Sequence, residues 1–117
     1  MITEIAFVAI PVTDIARSRR FYENTLGLKP GHTAMGGNWV EYEIGAATIG
    51  LGCAPDWKPS ADGTSTAFEV ADFDAAVARL QQNGITFFMG PLETPVCHMA
   101  VFADPDGNKL LLHKRKS

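Results

Sequence analysis

Apolar positions along the chain fall into two cycles, each passing from a strand-like run to a helical spacing and back. Residues 2–12 are rich in Val, Ile and Ala, as a buried strand is. Asp14 then offers an N-cap, and Ile15, Phe21, Tyr22 and Leu26 follow at helical spacing until Gly27 supplies a left-handed stop. Strands are predicted over 39–44 and 47–53, joined by Gly45-Ala46. Residues 54–63, APDWKPSADG, carry two prolines and several turn formers and read as a linker.

The second cycle repeats the first. Residues 65–71 read as a strand, Asp72 as a cap, and 73–83 as a helix with Phe73, Val77 and Leu80 on one face and Gly84 as its stop. Strands are predicted over 85–88, 95–103 and 108–113. The span from Phe7 to Asp14 equals that from Ser65 to Asp72, and both run through Val-x-Asp into a helix. The second half reads strand–helix–strand–strand–strand, and the first half is read as the same cycle although only two strands are predicted after its helix. Neither half buries both faces of its sheet alone, so the halves, 2–53 and 64–115, are expected to pair.

Composition narrows the function classes. At 117 residues the chain fits one domain, and its 46% hydrophobic content is ordinary for a globular protein. A net charge of -3 argues against nucleic acid and anionic membrane surfaces, which require a basic patch. The basic run at 113–116 reads as a solvated tail. Cys53 and Cys97 form no CxxC motif, so reduced thiols in a cytosolic protein are expected. The N-terminal run carries Glu4, lacks a basic leader and is too short to span a bilayer, so no signal peptide is expected and the location is read as cytoplasmic.

Turn chemistry sets which side chains share a face. A two-residue turn at Gly45-Ala46 places Glu43 opposite Thr48, Glu41 opposite Gly50, and Trp39 opposite Gly52. Near the C-terminus, DPDGN places Pro105 at a type I turn and Gly107 at the left-handed residue after it, a three-residue loop with a bulge. Cys97, Met99 and Val101 then share a face with Leu111 and His113, while Ala100 and Phe102 join Leu110 and Leu112 beneath the helices. An even loop would reverse this and bring His98 opposite His113. On the odd register, Leu110-Leu111-Leu112 splits, and Leu111 alone points away from the helix side.

The segments IPVTDIARSRRFYENTLGL, TAFEVADFDAAVARLQQNGI and VFADPDGNKLLLH together resemble the vicinal-oxygen-chelate superfamily, which includes glyoxalase I, extradiol dioxygenases, fosfomycin-modifying enzymes and bleomycin-resistance proteins. The resemblance covers nearly the whole chain. It implies an α+β fold of two βαβββ modules, with curled mixed sheets around a cavity and helices outside. It also implies a homodimer, with cavities where subunits meet. Metal-dependent relatives hold a divalent ion with His, Gln or Glu at positions that fall here on Phe7, Gly50, Ser65 and Leu111. Phe, Gly and Leu side chains coordinate nothing and Ser is a poor neutral ligand, so no metal and no other cofactor are expected.

The expected ligand-binding face holds Phe7, Trp39, Glu41, Glu43, Thr48, Ser65, Cys97, Met99, Val101, Leu111 and His113. Trp57 either caps the cavity or anchors a dimer contact. Three functions compete. One is metal-free binding of a small organic compound, aromatic or antibiotic-like, with Glu41 as counter-charge. Another is an enzyme with a metal site rebuilt from Glu41, Glu43, His98 or His113, or a metal-free lyase or isomerase using Glu41 or His113 as general base. The last is a dimeric partner or regulator with a vestigial cavity.

Overall fold

A computed structural model describes residues 1–116. The chain divides into two compact units, Met1–Pro59 and the segment from Ser60 onward. The first contains β1 (Val8–Pro11), α1 (Ile15–Arg19), β2 (Pro30–Ala34), β3 (Trp39–Ile44) and β4 (Ala47–Gly52). The second contains β5 (Thr66–Glu69), α2 (Phe73–Gln82), β6 (Met89–Glu93), β7 (Cys97–Ala103) and β8 (Lys109–Arg115). Their sheets have the same order, β1-β4-β3-β2 and β5-β8-β7-β6. In each the first strand lies parallel to the fourth and the other pairings are antiparallel. This is the α+β fold of two βαβββ modules.

Strand β1 is shorter than the apolar run predicts. It pairs with β4 from Val8↔Ile49 onward. Continued backward, Ala6 would meet Ala47, the first residue after the Gly45-Ala46 turn. Residues 2–5 therefore have no strand to pair with, and Ile2 and Ile5 are exposed. Edge strand β2 has no counterpart among the predicted elements, because KPGHTA is neither apolar nor alternating. An edge position tolerates Pro30 and a polar sequence, since only one side of it is paired.

Helix α1 starts where Asp14 accepts a hydrogen bond from Arg17 N at 3.0 Å. It then widens into a π-helical turn over Arg20–Thr25, with Leu26 N bonding to Phe21 O. The apolar spacing survives this change, and Phe21 and Tyr22 are both buried. Tyr22 stacks on Tyr42 with ring centroids 6.2 Å apart. The Tyr42 hydroxyl donates to Glu23 Oε2 at 2.7 Å, and Arg19 Nε donates to the same oxygen at 2.7 Å. Burial, and then the Glu23 carboxylate, push the Tyr42 pKa well above that of a free phenol.

In the second unit α2 is capped by Asp72, which accepts from Ala75 N at 3.0 Å. The strand predicted over 85–88 lies later, at β6. Ile85 N is used to close the helix end onto Leu80 O, and ladder pairing begins only afterwards. Strand β7 begins at Cys97 rather than at residue 95 because Thr94 Oγ1 accepts from Val96 N and Cys97 N, spending 95–96 on a turn. The DPDGN loop has the predicted odd register: Gly107 is left-handed with φ of 84°, Asp104 N bonds to Asn108 O, and Val101 pairs with Leu111. His98 accordingly lies on the helix side, its ring 5.5 Å from that of Phe73 on α2. Each sheet buries its helix side: Val40, Tyr42 and Leu51 in the first unit and Ala100, Phe102 and Leu110 in the second are at most 1% exposed.

Candidate functional site

The opposite face of the first sheet carries the candidate site. The hairpin pairs Trp39 with Gly52, Glu41 with Gly50 and Glu43 with Thr48, as the two-residue turn predicts, and β1 adds Ala9 beside Gly50. The two glycines leave a bare strip of backbone, and the Trp39 indole lies flat on it. A Cβ placed on Gly50 would stand 2.2 Å from Trp39 Cζ2, and one on Gly52 would stand 3.1 Å from Trp39 Cε3. No side chain fits at 50 while the indole is there. A Cβ on Gly52 would also meet Trp57 Cζ3 at 2.7 Å. Residues 54–57 therefore do more than connect: Ala54 and Trp57 form a β-bridge that lays the second indole over Gly52.

Above this floor is a cavity of about 450 Å³. Phe7 forms one wall and meets Trp39 edge-to-face, with centroids 5.4 Å apart and planes at 71°. Trp57 forms another, while His32, Ala34 and Met35 come from β2 and the turn after it. Glu41 is the one carboxylate in the lining, and its Oε2 accepts from Trp39 Nε1 at 2.8 Å. A smaller recess of about 150 Å³ lies between the two indoles, with Cys53 in its wall. Met35 has φ of 56°, a left-handed conformation unusual for a residue with a side chain, and it reaches both spaces.

Of the first-unit residues singled out from sequence, Phe7, Trp39 and Glu41 come together in this lining. Glu43 and Thr48 pair near the far end of the hairpin and do not line it. Trp57 stands at the cavity wall. His32 lies on β2 and joins the lining with Ala34 and Met35. Sequence reasoning passed over these three because β2 has no periodic signal.

The second unit places different chemistry at the same sheet positions. By strand order and register, Leu111 occupies the place of Gly50, His113 that of Gly52, and Met99 that of Trp39. Met99, Val101, Leu111 and His113 share the face away from α2 and are half-buried. His113 Nδ1 lies 2.6 Å from Glu69 Oε1, and Glu69 Oε2 accepts from Arg115 N at 2.7 Å. The His113 hydrogen bond, then the Arg115 amide, hold the Glu69 carboxyl below the usual carboxylate range. Lys116 acts likewise on Glu93, with which it forms a short ion pair. Cys97 is buried with its Sγ 3.2 Å from Thr94 Oγ1. Ser65 is exposed just before β5.

Among the described residues no three or more His, Cys, Asp or Glu side chains stand together to hold a metal ion. No helix among them is long and apolar enough to cross a membrane.

Fold and register together define a member of the two-module βαβββ class, and sequence comparison places it. Residues 4–112 match the Glyoxalase/Bleomycin resistance protein/Dioxygenase superfamily. The chain belongs to that family. Among solved structures it is similar to TnmS3, an antibiotic binding protein from a Streptomyces species, at 28% identity over 98% of both chains with a TM-score of 0.81. It is also similar to a superfamily member from Sphaerobacter thermophilus, at 27% identity over 97% of this chain and 98% of that one, TM-score 0.79. A glyoxalase/dioxygenase from Nostoc punctiforme shares the fold at 23% identity over 97% and 92% of the two chains, TM-score 0.82. Among curated proteins no match is found.

Proposed function

We propose that this protein binds a small aromatic compound in the cavity of its first module, without a metal ion. The observation that carries the reading is the Trp39 indole lying across Gly50. At that position metal-dependent relatives are expected to hold a ligand. Here a ligand side chain and the indole exclude one another, and the indole supplies a flat apolar floor. Apolar walls with a few placed polar groups are what organic ligands use. The similarity to an antibiotic-binding protein supports the same direction.

The protein works as a homodimer in the cytoplasm on this reading. The resemblance supports the dimer, as do the exposed Phe88, Met89 and Val96. The free thiols Cys53 and Cys97 suit a reducing compartment.

Both tryptophans of the chain line the cavity, so intrinsic fluorescence reports its occupancy. The test is a fluorescence and thermal-shift screen against planar aromatic compounds, with and without divalent ions. Quenching and stabilisation independent of added metal are expected. Binding only in the presence of a divalent ion would refute the metal-free reading, and no response across the panel would refute ligand binding.

The Glu69–His113 pair favours a second reading. A carboxylate on Nδ1 orients the ring and leaves Nε2 as a general base for a metal-free isomerase or lyase. Mass spectrometry of compounds incubated with the protein tests it. Turnover lost in His113→Gln with binding retained is expected, and unchanged compounds throughout would count against catalysis.

A further inference from the structure

We infer that the ligand of the first-module cavity carries a positive charge on or beside its aromatic rings. This rests on the binding reading above and adds the ligand's charge to it. Three observations converge. The Trp39 ring lies over the Gly50–Gly52 backbone and lines the cavity. Phe7 and Trp57 stand at its sides, so a guest meets aromatic surface in more than one direction, the arrangement that receives organic cations.

The second observation is the bond from Trp39 Nε1 to Glu41 Oε2 at 2.8 Å. An indole N–H donating to a carboxylate becomes more electron-rich over its ring, because the nearby negative charge adds to the potential of the π face. The same bond fixes the carboxylate, while its second oxygen has no hydrogen-bond partner among the described residues. An ammonium, amidinium or protonated ring nitrogen supplies the missing donor.

The third observation is the charge of the lining itself. Glu41 is its one carboxylate, and no Lys or Arg is among the lining residues. The one other titratable group there is His32. A neutral or anionic guest would leave Glu41 facing apolar surface without a counter-charge, the costly arrangement for a carboxylate.

Three planar three-ring probes separate the possibilities at about pH 8, a pH at which the probes differ in charge. Proflavine is a cation, acridine is uncharged and 9-anthracenecarboxylate is an anion. Calorimetry on the full chain is expected to show proflavine binding at least about tenfold more tightly than acridine, with the anion weakest. Glu41→Gln removes the charge and keeps the shape. It is expected to lower proflavine affinity about tenfold and leave acridine affinity unchanged, which also shows that the variant is folded. Equal affinity of the three probes, or no effect of Glu41→Gln on proflavine, overturns the inference and leaves the binding reading standing. Tightest binding of the anion overturns it too and assigns the polar edge to His32. If no probe binds, both readings fall.

Discussion

The two modules share strand order, pairing and register, yet their faces away from the helices have opposite characters. In the first, Gly50 and Gly52 leave backbone bare and two indoles settle on it beside Glu41. In the second, the matching positions hold the half-buried side chains of Leu111 and His113, and His113 meets Glu69. The helix-side faces do not diverge: Leu51 and Leu112 are equivalent by register, both are buried, and both pack as core. A duplicated sheet is thus constrained where a helix covers it and free to change where nothing of its own module does. Two residues without Cβ atoms give one copy a backbone floor where the other presents the side chains of Leu111 and His113.

If the buried faces are equivalent, truncation should cost the same in each. Leu51→Ala and Leu112→Ala, at 0% and 4% exposure, are each expected to lower unfolding free energy by about 2–5 kcal/mol, measured by chemical denaturation. A loss below about 1 kcal/mol in either would break the equivalence.

The open faces should respond differently. Gly50→Ala forces the Trp39 ring off the sheet and is expected to cost about 1–3 kcal/mol, shift the tryptophan emission and weaken aromatic ligands. Leu111→Ala removes half-buried bulk and is expected to cost about 1–2 kcal/mol with emission unchanged. Equal emission changes in the two variants would mean that the indole does not lie where Gly50 permits it.

Tyr42→Phe removes the hydroxyl that bonds Glu23, an expected loss of about 1–2 kcal/mol at neutral pH. The same tyrosine gives the first module an alkaline limit. Its folded pKa is raised above the ordinary 10.0, so unfolded phenol ionises first. That stabilisation is whole below pH 10.0 and fades as the pH rises toward the folded value. Thermal melts of Tyr42→Phe should be flatter above pH 10.0 than those of the parent.

The smallest effect is expected at the acid end, from the second module. Glu69 and Glu93 titrate below the ordinary 4.5 when folded, so their contribution is present above pH 4.5 and is lost as the pH falls through the folded values. Both are solvent-facing, so a shift of a few degrees or less in melting temperature is expected, and Glu69→Gln should flatten the acid limb. An acid limb unchanged in Glu69→Gln would remove the carboxylate–histidine pair from the list of stabilising contacts.

The sequence by itself determined the module repeat, both hairpin registers and the faces on which Trp39, Glu41 and Leu111 lie. Those follow from local chemistry: Gly45 and Gly107 accept left-handed turns, and strand alternation then assigns every side chain to a face. Strand β2 and its His32 stayed hidden, because an edge strand paired on one side imposes no apolar pattern. The Glu69–His113 bond was equally invisible, joining residues 44 positions apart that only the parallel pairing of β5 and β8 brings side by side. Tertiary structure also decided what the glycines are for. Two residues without side chains carry no instruction along the chain, and their meaning appeared only when Trp39 and Trp57 were laid across them.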